Sequence, residues 1–74
     1  MIFLWIFKNY EMINLNNIDN IDITVCESDS QFELIFFKNN EVINIFYYDS
    51  EEELKRNYEN IINGIRNNFK ILNI

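Results

Sequence analysis

Proline and histidine are absent from this 74-residue chain, glycine and cysteine occur once each, and Lys and Arg together number only six. Each absence closes off some chemistry. Without histidine there is no imidazole for proton transfer, and the commonest transition-metal ligand is gone. Cys26, the single cysteine, has no partner for an intrachain disulfide and no imidazole to activate it as a nucleophile. The single glycine, Gly64, stands inside a helical pattern, so no glycine-rich phosphate cradle can be built. Six basic residues against twelve carboxylates leave a net charge of −6. That balance disfavours direct binding to DNA or RNA and to anionic membrane surfaces. It favours a protein partner with a basic surface.

What is present is apolar and amide-rich. Fourteen Ile, fourteen Asn and seven Phe make up nearly half of the chain. At this length the reading is one domain, 1–74, near the size at which a single core barely suffices. Disulfide and metal being excluded, a second copy or another protein is the remaining source of extra burial, and a homodimer is the expectation. The apolar opening Met1 to Phe7 is seven residues long, far from the roughly 20 of a spanning helix. It also lacks the basic start and small-residue cleavage site of a signal peptide. With a free thiol, this gives a cytoplasmic expectation.

The densest signal is Phe32 to Tyr48, FELIFFKNNEVINIFYY. Asn39-Asn40 suits a two-residue hairpin turn, because Asn tolerates positive φ. The register then pairs Lys38 with Glu41 and places Phe32, Leu34, Phe36, Ile43, Ile45 and Tyr47 on one face, read as the core. The opposite face carries Glu33, Ile35, Phe37, Val42, Asn44 and Phe46. Upstream, Ile21 to Glu27 alternates with Ile21, Ile23 and Val25 inward, as a half-buried strand does. Met1 to Lys8 reads as a strand, Asn9-Tyr10 as a turn, and Glu11 to Leu15 as a short second strand.

After Tyr48 the period changes. Ser50 with Glu53 three residues on forms a capping box, and Glu51 to Glu53 suit the positive end of a helix dipole. Leu54, Tyr58, Ile61, Ile62 and Ile65 form an apolar stripe; Gly64 would let the helix approach the sheet. Phe69 to Ile74 reads as a tail or short strand packing back. The expected fold is α+β, an antiparallel sheet of three to five strands packed against one long C-terminal helix.

No catalytic set emerges. The serines Ser28, Ser30 and Ser50 sit in turns or a cap. Asp19-x-x-Asp22 and Glu27-x-Asp29 lack the spacing and the glycine of a calcium loop, so neither a metal nor a cofactor is expected. Ile35, Phe37, Val42 and Phe46, bordered by polar residues, have the anatomy of a protein interface. Asp19, Asp22, Glu27, Asp29 and Glu33 supply acidic surface to meet Lys and Arg.

The run from Met12-Ile13-Asn14-Leu15-Asn16-Asn17-Ile18 through the hairpin to Asp49-Ser50-Glu51-Glu52-Glu53 resembles small β-meander proteins, closed by one C-terminal helix, of low-GC bacteria and their phages. The resemblance covers about three quarters of the chain and transfers no catalytic residue. It implies a phage or mobile-element inhibitor of a host nucleic-acid-binding defence enzyme, of the anti-CRISPR or anti-restriction type. The alternatives are a nucleotide or small-molecule binder, with a pocket at a dimer interface lined by Trp5, Tyr47 and Tyr48, and a structural protein without a ligand.

Overall fold

The computed structural model describes residues 5–8, 11–67 and 70–74. The fold is α+β, and the described residues form six strands in two three-stranded sheets with one C-terminal α-helix. The larger sheet is an antiparallel meander of β3 (Asn20–Cys26), β4 (Gln31–Lys38) and β5 (Glu41–Tyr48), in that order. Helix α1 (Glu51–Arg66) packs on it. The smaller sheet has β1 (Trp5–Lys8) at its centre, antiparallel to β2 (Glu11–Asn14) and parallel to β6 (Ile71–Asn73). The C-terminal segment thus returns beside the N-terminal one. The expected turn at Asn9-Tyr10, the residues before Trp5 and Phe69 lie outside the described residues.

Local chemistry sets the element ends. Asn39 and Asn40 both take positive φ, 54° and 65°, as the tight turn between β4 and β5 requires. Asp19 fastens that turn from outside, its Oδ2 accepting from the Asn39 N–H at 2.8 Å and its Oδ1 pairing with Lys38 Nζ at 3.3 Å. The helix starts as its sequence says, with Ser50 Oγ accepting from the Glu53 N–H at 3.2 Å.

The hairpin register holds only next to its turn. Lys38 faces Glu41 and Phe37 faces Val42, but Phe36 faces Asn44, so Ile43 is an extra residue, a β-bulge. A one-residue shift sends every later side chain of the strand to the other face. Phe46 and Tyr48 therefore point inward, while Ile45 and Tyr47, expected in the core with Ile43, lie outside it. The exchange is favourable because the inner layer has matching partners. Phe46 meets Phe36 edge-on at 5.1 Å between centroids, a geometry worth about 0.5–1.5 kcal/mol beyond area burial. Lys8 Nζ lies 5.5 Å from the centre of the Phe46 ring and 4.8 Å from that of Tyr48.

One core joins all three layers: Ile6 and Ile13 from the small sheet, Leu34, Phe36, Phe46 and Tyr48 from the meander, Leu54 and Ile61 from the helix. The buried side of α1 is Leu54, Asn57, Ile61 and Gly64. That stripe is rotated from the expected one; Ile65 is exposed, and Tyr58 and Ile62 are half-buried. The buried Gly64 fits a close approach of helix to core.

Candidate binding surfaces

The meander has an outer face turned away from α1. Across it run Asp22, Ile35 and Ile45 in one row, Thr24, Glu33 and Tyr47 in the next, and Asn20, Phe37 and Val42 nearest the turn. Tyr47 is 67% exposed and Val42 52%; Ile43, on the bulge, is exposed beside them. Ile35, Phe37 and Ile45 are half-buried. Both described segments that could have folded over this face pack elsewhere, since Ile6, Leu72 and Ile74 belong to or border the core on the inner side.

Of the four residues expected at an interface, Ile35, Phe37 and Val42 share this face. Phe46 does not. At 1% exposure it is a core residue, turned inward by the bulge, and Ile45, Tyr47 and Ile43 take its place outside. The sequence signal for the bulge is faint: Asn44 would otherwise be the outward residue, and here its Oδ1 accepts from the Ile45 N–H at 2.8 Å.

The five expected carboxylates do not form one patch. Asp19 and Asp22 lie near the hairpin turn, while Glu27 and Asp29 lie at the opposite end of β4. Eight residues of strand separate the two ends, about 26 Å. Glu33 stands between them and is buried, with Gln31 Nε2 donating to its Oε1 at 3.2 Å. Asp19 is occupied by the turn, and the Asn39 N–H and then Lys38 hold its carboxyl below the ordinary value. Asp22 remains exposed, its Oδ1 accepting from Asn20 Nδ2 at 3.4 Å.

Around Asp22 the surface dips. A concavity of about 440 Å³ is lined by Asp19, Asn20, Asp22, Phe37, Asn39 and Asn40. It joins two carboxylates to an aromatic wall, which suits a cationic side chain and repels an anionic ligand. Within one chain Trp5, Tyr47 and Tyr48, expected to line a pocket at a dimer interface, do not come together. Tyr48 is buried against Asn57, Tyr47 points to the other face of the same strand, and Trp5 is in the other sheet.

Two features escaped the sequence. The outer side of the small sheet exposes Met12 and Ile71 beside half-buried Trp5 and Phe7. The Cys26 thiol is drawn into the turn after β3, 3.4 Å from Ser28 Oγ and 3.5 Å from Asp29 Oδ2. Among the described residues no three of His, Cys, Asp or Glu gather where they could hold a metal ion. No described helix is long and apolar enough to cross a membrane.

Comparison of the chain with family models, with curated proteins and with solved structures finds no match. Its function is therefore read from its surfaces.

Proposed function

We propose that this protein is a non-enzymatic binding module that acts by occupying a partner's surface, with the outer face of the meander as its contact. The observation that carries the reading is the exposed row of Val42, Ile43 and Tyr47 flanking Ile35, Phe37 and Ile45. At its border Asp22 is exposed, and Lys38 beside the turn is held by Asp19. An apolar centre with a polar rim is how protein interfaces are built. A contiguous apolar area of this kind on a small domain marks a contact site. The complementary partner carries apolar side chains flanked by Lys or Arg, one of which would enter the hollow beside Asp22 and Phe37.

A surface of that description belongs to proteins that grip nucleic acid. The biological setting we propose is a phage or mobile element, with a host defence nuclease as the target and the cytoplasm as the compartment. Self-association is part of the same proposal.

The test is protection of a phage from restriction and CRISPR nucleases, with purified protein added to cleavage assays in parallel. Wild type is expected to inhibit one of these enzymes, and Val42→Glu and Tyr47→Asp, both at exposed positions, to lose inhibition while staying folded. Inhibition that survives both substitutions would remove the outer face from the mechanism. No inhibition of any nuclease would remove the proposed target.

A further inference from the structure

We propose that the protein dimerises by antiparallel pairing of β3 with the β3 of a second copy, about a twofold axis through Ile23. The result is one continuous six-stranded sheet with both helices on the same side. This rests on the self-association proposed above and names its seam.

Among the described residues β3 is an edge strand, paired with β4 alone. The carbonyl of Phe37 accepts from the Asp19 N–H at 2.8 Å, so the backbone of Phe37 points at β3. In an antiparallel ladder the hydrogen-bonding direction alternates along each strand. Asn20, Asp22, Thr24 and Cys26, which face alternate residues of β4 beginning at Phe37, therefore turn their backbone groups to β4. Ile21, Ile23 and Val25 turn theirs to the open edge. A twofold through Ile23 sets Ile23 against itself and Ile21 against Val25 of the second copy. Every open N–H and C=O of those three residues then meets its complement, and all seven residues of the strand are paired.

The charges allow this register. Asp22 comes opposite Thr24 and Asn20 opposite Cys26, so no like charges stand directly opposite within the strand, and the two Asp22 residues are diagonal neighbours. Just past its ends Glu27 comes opposite Asp19, whose carboxylate is already paired with Lys38.

The inner face supplies an apolar seam. Ile23 and Val25 point toward the helix side yet remain 38% and 37% exposed, because α1 lies over β4 and β5. The two flanks of α1 can be told apart. The Glu51 carboxyl is acted on first by Lys55 and last by Glu27, just past β3, whereas the Glu53 charge acts on Tyr48 of β5. At 100° per residue, Tyr58, Ile62 and Ile65 lie on the Glu51 flank. In the proposed dimer this flank of each helix would lie toward the seam and help to cover the four exposed β3 side chains.

The other edges are less fit. β5 carries the Ile43 bulge, and the Asn44 carboxamide holds the Ile45 N–H, both ways of blunting an edge. β2 and β6 have four and three residues. β3 is regular and has neither Lys nor Pro.

A seam of one seven-residue strand and a helix flank is at the small end of specific interfaces, so a dissociation constant of roughly micromolar order is expected. With net charge −6 on each copy, added salt should tighten it by screening the long-range repulsion.

The experiment combines solution mass by light scattering over a dilution series with amide hydrogen exchange on the wild-type chain. The expected result is a dimer at high concentration in which the amides of Ile21, Ile23 and Val25 exchange at least about tenfold more slowly than after dilution. Ile23→Pro, which removes only an N–H facing the open edge, and Ile23→Lys should both be monomers. If Ile23→Pro fails to fold, Ile23→Lys and the wild-type exchange pattern decide. A monomer throughout overturns self-association and seam together. A dimer in which those three amides stay fast, or which survives Ile23→Lys, overturns the seam alone.

Discussion

The contact between Tyr48 and Asn57 decides whether the last strand and the helix are locked or merely adjacent. Asn57 Nδ2 donates to the Tyr48 hydroxyl at 3.0 Å, with the two residues 9% and 6% exposed. Tyr48→Phe deletes the acceptor and leaves a buried amide N–H without a partner, at a cost of about 1–3 kcal/mol. A chain of this length holds roughly 4–11 kcal/mol of total stability, so the loss would be plain as a fall of roughly 4–8 °C in Tm per kcal/mol. Asn57→Leu should cost a similar amount by stranding the hydroxyl. The double variant removes both polar groups, and should be more stable than the sum of the single losses predicts.

Urea unfolding followed by circular dichroism at one fixed protein concentration measures all four. Additive losses, or a Tyr48→Phe cost under about 0.5 kcal/mol, would refute the buried bond. The pH dependence gives a second arm. Burial raises the Tyr48 hydroxyl pKa above 10.0, with the Glu53 charge acting the same way and the Asn57 bond opposing it. A raised folded value means that the contribution is whole below pH 10 and lost as the pH climbs through that value. Tyr48→Phe should therefore flatten the alkaline limb of the stability curve.

Two further outcomes follow from the register and the turn. Phe46→Ala should cost about 3–5 kcal/mol and Val42→Ala within about 0.5 kcal/mol; the same urea assay reversing that order would put the bulge in doubt. Asp19 has a folded pKa below its ordinary 3.8, so its contribution stands above that pH and is lost as the pH falls through the folded value. Asp19→Asn should weaken the fold at neutral pH and remove part of the acid-induced slope below about pH 4. An acid titration with an unchanged slope would show that the turn clamp does not form.

Strong local signals made much of this fold legible. Ser50 and Glu53 mark the helix start because a cap is chemistry within three residues, and Asn39-Asn40 marks the turn because few residue pairs accept two positive φ angles. The alternation of Ile21, Ile23 and Val25 gives the strand and its inner face. The division of strands between two sheets was not legible. β1 pairs with β6 across more than 60 residues, and period-two patterning says which face of a strand is apolar, never which strand lies beside it. The helix stripe was misjudged by a fraction of a turn for a related reason. Asn57 is polar, and its burial depends on the hydroxyl of Tyr48 nine residues away, a partner that apolar spacing does not reveal.

The inward turn of Phe46 and of Tyr48 has one cause, and it also relocates the candidate site. Both faces of β5 are apolar enough to be buried, so hydrophobicity alone does not choose between them. With the pattern nearly degenerate, the choice falls to packing: Phe46 meets Phe36 edge-on and lies under Lys8, contacts that Ile45 has no ring to make in its place. One extra residue at Ile43 admits the better set. It leaves Val42, Ile43, Ile45 and Tyr47 on the outside as a consequence of satisfying the core. The same bulge breaks the ladder at the edge of β5 and leaves β3 as the long, regular edge. A single inserted residue thus selects which aromatic residues stabilise the fold, which apolar residues remain for a partner, and which strand remains for a second copy.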